Sequence, residues 1–189
     1  VFIIAATALF TLHTPAFSLS SDIERRVETL LRQMTLDEKI GQLSLVPNDS
    51  SFEPDLVLQG RIGAVMNFND ADKIAAMQTL ARQSRLGIPL LVGLDVVHGY
   101  RTLFPVPLAE AATFDPGLAR LASEWAAREA AAVGIQWTFG PMADVSRDVR
   151  WGRIVEGAGE DTYLTSVFTA ARVEGFRAGG LATSTKHFA

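Results

Sequence analysis

Short apolar runs alternate with helical patterns along most of the sequence, and no other feature constrains the fold as strongly. "QLSLV" (42–46), "RIGAVMNF" (61–68), "PLLVGLD" (89–95), "IQWTFGP" (135–141) and "LATSTKHF" (181–188) read as strands. "PLLVGLD" is continuously apolar, as a strand buried on both faces should be. Between the runs lie helices. "DADKIAAMQTLARQSRLG" (70–87) sets Ile74, Met77, Leu80 and Ala81 on one face and closes at Gly87, and Pro89 blocks continuation. Asp115-Pro116 reads as an N-cap followed by Pro at the first helical position. The helix behind it carries Leu118, Leu121, Ala122, Trp125, Ala132 and Val133 at helical spacing. Glu160 and Asp161 sit where a helix start favours acids. The pattern after them turns Leu164, Val167, Phe168 and Ala171 inward and ends near Gly179-Gly180. Upstream, Ser21-x-x-Glu24 and Thr35-x-x-Glu38 read as two capping boxes.

A repeated strand-then-helix order demands a parallel sheet, so the fold class is α/β. A (β/α)8 barrel and an open doubly wound sheet both fit about five strands. A dinucleotide-binding sheet needs G-x-G-x-x-G directly after its first strand, and "PNDSSFEPD" follows there instead. The net charge of −4 comes with no basic block, which argues against a nucleic-acid surface. With no cysteine, disulfides, thiolate metal sites and a Cys nucleophile are excluded. The three histidines (13, 98 and 187) show no H-x-x-x-H spacing, so neither a zinc site nor any other cofactor is expected. No G-x-S-x-G elbow is present. "GAGED" (157–161) looks like an anion loop, but Glu160 and Asp161 would repel a phosphate.

The opening segment "VFIIAATALFTLHTPAFS" (1–18) carries no Asp, Glu, Lys or Arg. It reads as a secretory apolar region with a small-residue cleavage site, and its other reading is a buried N-terminal strand. The apolar run falls short of the ~20 residues of a membrane-spanning helix, so no stable membrane anchor is expected. Export to the periplasm or the medium follows. There is no initiator Met and no basic region before Val1, so the N-terminus is expected to be incomplete.

Charged residues gather directly after the apolar runs. Asp95 ends the third. Asp144, Arg147, Arg150 and Arg153 follow the fourth. Lys186 and His187 end the fifth. In a parallel barrel the C-terminal strand ends carry the chemistry. One carboxylate, guanidinium groups, an ammonium and an imidazole around one site suit a neutral polyhydroxylated ligand. Simpler readings exist for each group. Asp95 alone could be a cap, His98 a hydrogen-bonded loop residue, Trp151 a packing residue or a sugar platform. Arg147 and Arg150 could be partners of Asp144 and Asp148. Lys186 is the hardest to set aside, because an ammonium at the end of a buried strand needs a partner or a ligand.

"GLDVVHGYRTLFPVPLAEAATFDP" (93–116), "GPMADVSRDVRWGRIVEGAGEDTYL" (140–164) and "STKHFA" (184–189) together resemble glycoside hydrolase family 3, most nearly its bacterial periplasmic β-glucosidases. "MTLDEKIGQL" (34–43) is similar to the family's opening helix. One departure is Val149, where the family motif usually has Pro.

The resemblance implies that residues 19–189 form the N-terminal part, about five strands, of a (β/α)8 barrel domain cut at its C-terminus. It implies retaining hydrolysis of β-glucosides and β-linked oligosaccharides. By position, Asp95, Arg153, Lys186 and His187 correspond to the family's substrate-binding residues. The nucleophile and the acid/base belong to later segments, beyond residue 189. The C-terminal remainder of the parent chain is therefore an expected partner, and the 189-residue chain alone is expected to be inactive and unstable. Two other readings stay open. One is a β-N-acetylglucosaminidase of the same family, although Ala189 follows Phe188 where that branch has Pro. The other is a non-catalytic carbohydrate-binding barrel.

Overall fold

A computed structural model describes residues 21–49 and 52–187. The leader expected over 1–18 lies outside the described residues. The chain divides into two units, Val1–Gln33 and Met34–Ala189. The described part of the first is a single helix, α1 (Ser21–Gln33). Ser21 is already helical, so it is not the N-cap expected from Ser21-x-x-Glu24. Ile23, Val27, Leu30 and Leu31 form an apolar stripe along α1, and all four remain exposed.

The second unit holds α2 (Leu36–Gln42), β1 (Leu45–Pro47), α3 (Pro54–Leu58), β2 (Ala64–Met66) and α4 (Ala71–Gln83). Then come β3 (Leu91–Leu94), α5 (Pro107–Ala111), α6 (Pro116–Ala132), β4 (Trp137–Thr138), α7 (Thr162–Ala178) and β5 (Ala182–Thr183). A 3-10 turn, Ile154–Glu156, precedes α7. All five strands are parallel and run β1-β2-β3-β4-β5 across one sheet. A doubly wound sheet reverses its strand order at a switch point. These strands do not reverse, so they are wound as a barrel is.

Sequence and structure agree on the five strands but not on their lengths. The ladder hydrogen bonds span only two to four residues per strand. "QLSLV" is split: Gln42 closes α2, and the strand starts at Leu45. The short helices α3 and α5 lie where the sequence reads as loop, each opened by a proline in its first turn.

Helix starts follow the sequence closely. Thr35 and Glu38 complete a reciprocal capping box. Asp70, Asp115 and Asp161 each accept backbone N–H groups at the heads of α4, α6 and α7. The buried face of α6 is a correction. Leu118, Leu121 and Trp125 are exposed, and the helix instead buries Ala119, Ser123, Ala126, Ala127 and Ala130. Small residues let α7 come close. A Cβ on Gly175 would collide with the Arg120 carbonyl oxygen, and one on Gly179 with the Ala127 Cβ. Helix α7 buries Phe168 as expected, together with Thr165, Arg172, Gly175 and Phe176 rather than Ala171.

The core lies between sheet and helices and includes Val65, Val92, Ile74, Ala126, Ile135 and Phe176. On the opposite face of the sheet Leu45 and Leu91 stay 38% and 41% exposed. Asp95 directly follows β3, at the C-terminal end of the sheet, and its carboxylate is exposed.

Candidate active site

Three strands deliver the charged residues to one place. Asp95 follows β3, Asp144 and Arg153 follow β4, and Lys186 and His187 follow β5, all at the C-terminal ends. Lys186 Nζ donates to Asp95 Oδ1 at 2.6 Å. The Lys186 side chain is 17% exposed and that of Asp95 45%, so the ammonium is the inner partner. The backbone of Lys186 is fixed on both sides. Its N–H donates to Pro141 O at 3.0 Å, and its carbonyl accepts from Ala143 N at 2.6 Å.

His187 joins the other two groups. Its backbone N–H donates to Asp144 Oδ2 at 3.2 Å, and its Nδ1 lies 3.1 Å from the same oxygen. Arg153 Nη1 stands 3.4 Å from His187 Nε2. A carboxylate only accepts and a guanidinium only donates, so the geometry assigns the neutral imidazole with its proton on Nδ1. Asp144 thus pairs with His187 and not with Arg147.

Arg153 is held by a residue the sequence reading does not single out. Its Nε and Nη2 donate to the two oxygens of Glu156 at 2.7 and 2.6 Å, a bidentate fork. Nη2 also meets Met142 Sδ at 3.5 Å. The hydrogen bonds from Arg153 hold the Glu156 carboxyl below its usual range, and the charge of Lys186 adds to this. Glu156 in turn raises Arg153, which also feels Asp95 and Asp144. The spacing Arg153-x-x-Glu156 across a 3-10 turn was the available sequence signal, since i and i+3 eclipse there.

The remaining candidates stay outside the cluster. Arg150 pairs with Asp148 at 2.6 Å on the surface. Val149, the departure from the family motif, is 83% exposed in the same turn. His98 Nδ1 donates to Phe104 O at 3.0 Å inside its own loop. That loop is tethered at its tip, where Glu129 accepts from Arg101 N, Thr102 N and Thr102 Oγ1 at 2.9, 2.8 and 2.6 Å.

The cluster holds three carboxylates, Asp95, Asp144 and Glu156, against two cations, Arg153 and Lys186. It carries no surplus positive charge to attract a phosphate or carboxylate. It offers hydrogen-bond acceptors and donors side by side on an open face. Among the described residues no group of three or more His, Cys, Asp or Glu could hold a metal ion. Nor is any described helix long and apolar enough to cross a membrane.

Comparison with known proteins gives this geometry a family. Residues 35–189 match the glycosyl hydrolase family 3 N terminal domain. The chain belongs to glycoside hydrolase family 3. It is 43% identical, over 86% of its own length, to the periplasmic beta-glucosidase of Salmonella typhimurium, and spans 23% of that protein. The crystal structure of beta-glucosidase from Listeria innocua in complex with isofagomine superimposes with a TM-score of 0.79 at 36% identity. That match covers 87% of this chain and 26% of the Listeria one. The exo-1,3/1,4-beta-glucanase of a Pseudoalteromonas species gives a TM-score of 0.81 at 28% identity, over 89% of this chain and 25% of that one. The family 3 chain thus spans about a quarter of the length of the relatives it matches.

Proposed function

We propose that the chain is the sugar-gripping part of a retaining β-glucosidase, which removes terminal β-D-glucosyl residues from β-glucosides and oligosaccharides. The observation that carries this reading is the Lys186–Asp95 pair at the strand ends, inside a cluster with no net positive charge. A terminal glucosyl ring presents adjacent hydroxyls. Asp95 has acceptor capacity left for two of them, and Lys186 has donors left for their oxygens. The related Listeria innocua enzyme has been solved with glucose and with laminaribiose, which supports a glucosyl ligand.

Retaining hydrolysis uses two carboxyl groups about 5–5.5 Å apart, one as nucleophile and one as acid/base. The carboxylates of the cluster are unsuited to either part. Asp95 is engaged by an ammonium, Glu156 by a guanidinium and Asp144 by the N–H and Nδ1 of His187, which lowers their nucleophilicity. Glu156 stays ionised and has no proton to give. In this proposal both reacting carboxyls come from the parent chain beyond residue 189. Residues 1–18 serve export to the periplasm or medium, in keeping with the name of the Salmonella relative.

The test is hydrolysis of an aryl β-glucoside by the parent protein, with the anomer of the released glucose followed by NMR. Release of the β-anomer first is expected. Release of the α-anomer, no turnover, or faster cleavage of an aryl β-N-acetylglucosaminide would overturn the reading.

A further inference from the structure

The Asp95 carboxylate is useful only if it leaves the sheet in the right direction, and the backbone there is at its least regular. The β3–β4 ladder ends with Phe139 N donating to Leu94 O at 3.3 Å. Immediately afterwards the chain turns. Val96 N donates back to Leu94 O at 3.1 Å, so Asp95 is the central residue of a three-residue turn. Such a turn is closed by one short-range bond and leaves its apex residue free to swing.

A side chain from the next strand removes that freedom. Thr138 on β4 is 0% exposed, and its Oγ1 accepts from the same Val96 N at 3.1 Å. Val96 is itself fully buried, so no water can stand in for the hydroxyl. The bond prolongs the β3–β4 ladder by one step, through a side chain, where the two backbones part. One residue further on, Arg172 Nη1 donates to Val97 O at 3.0 Å. That second tether keeps the loop folded when the first is removed.

We propose that Thr138 is a positioning residue for Asp95: its buried hydroxyl holds Val96 N–H and thereby sets where the Asp95 carboxylate meets Lys186 and a sugar. The inference rests on the sugar-binding reading of Asp95. Thr138 is 0% exposed, out of a ligand's reach, so its effect on turnover is expected to pass through Asp95.

The experiment is a double-mutant cycle in the parent protein. Thr138→Val keeps the volume and deletes the acceptor. It should lower kcat/KM for an aryl β-glucoside about 5- to 10-fold, the size of one neutral hydrogen bond. The melting temperature should move only slightly, because the Arg172 tether remains. Thr138→Ser should restore most of the loss. On an Asp95→Ala background the same Thr138→Val change should alter kcat/KM by no more than about twofold, since coupled sites fail to add. Wild-type kcat/KM in Thr138→Val, or equal losses on both backgrounds, would overturn the inference. If Thr138→Val does not fold, Thr138→Ala and Thr138→Ser are compared instead, and equal activity in those two overturns it. Loss of the Asp95 reading itself has a separate signature, an Asp95→Ala single variant with undiminished turnover.

Discussion

Two sets of paired charges rest on the same frame of sheet and helices. Glu110 on α5 and Arg172 on α7 form one, and both side chains are 6% exposed. Arg172 gives its Nε and Nη2 to Glu110 Oε2 and its Nη1 to Val97 O. Lys186 and Asp95 form the other, with the carboxylate 45% exposed. The chemistry is alike and the covering is not. Sealed between helices, a pair can exchange its partners for nothing else, so it serves the fold. At an open sheet face, a carboxylate keeps lone pairs that a ligand can reach. Burial, rather than the kind of charge, separates a strut from a binding group.

The contrast can be broken most directly at the buried pair. Glu110→Ala leaves a guanidinium buried without its counter-charge, which should cost about 3–5 kcal/mol of stability in denaturant titrations of the parent. The double variant Glu110→Leu with Arg172→Met should recover most of that, because a well-packed apolar pair often replaces a buried ion pair without loss. If the single variant is as stable as wild type, the strut reading fails.

Asp95→Ala should show the reverse pattern. Charged hydrogen bonds contribute about 1.5–3 kcal/mol each, and two to the sugar give a loss of at least ~3 kcal/mol in transition-state stabilisation. Stability should fall by less than in Glu110→Ala, because Lys186 keeps 17% exposure and can turn toward water once Asp95 is gone, whereas Arg172 cannot. A loss in kcat/KM below about tenfold would make Asp95 only a local partner of Lys186.

Glu156→Gln tests the layer behind the ligand. It turns a charge-assisted fork into neutral contacts and should lower kcat/KM about tenfold, with KM carrying most of the change. Glu156→Asp, one methylene shorter, should not restore the fork. An unchanged KM in the Gln variant would show that Arg153 is held well enough by His187 and Met142.

The smallest expected effect is one of pH. Arg85 donates to both oxygens of Glu38 at 2.9 and 2.5 Å, and Thr35 N adds a third bond at 2.8 Å. These bonds, Arg85 first, lower Glu38 from 4.5 to about 2. Between those values the unfolded chain binds more protons than the folded one, so stability rises with pH. The contribution of Glu38 is complete above pH 4.5 and is lost as pH falls through about 2. Melting temperatures from pH 2 to 6 should therefore slope less in Glu38→Gln than in wild type.

The sequence carried most of the frame and half of the site. Asp115 was legible as a cap, and Asp161 as an acid at a helix start, because such positions are decided by a few neighbouring atoms. The parallel sheet was legible because alternation of periods is local too, but strand order was not, since a barrel and a doubly wound sheet share that alternation. The buried face of α6 was not. Size suggested Leu118, Leu121 and Trp125, whereas close approach of α7 selected the alanines, and that choice depends on a helix some forty residues away. Convergence of Asp95, Arg153, Lys186 and His187 followed from their places after apolar runs. Glu156 escaped notice because its partner is fixed by a short 3-10 turn within an irregular connection. Arg172 escaped because a cation in the middle of α7 reads as surface until Glu110 is placed opposite it.

The backbone at Lys186 has a consequence for the tempo of recognition. Its amide and its carbonyl are both committed, to Pro141 and to Ala143. The conformational entropy of that residue is lost when the chain folds, before any ligand arrives. The main chain that carries the ammonium is therefore ordered in advance, whatever the side chain meets. If the proposed sugar-binding role holds, the ordering cost on encounter falls to the ligand and to side chains rather than to this stretch of main chain.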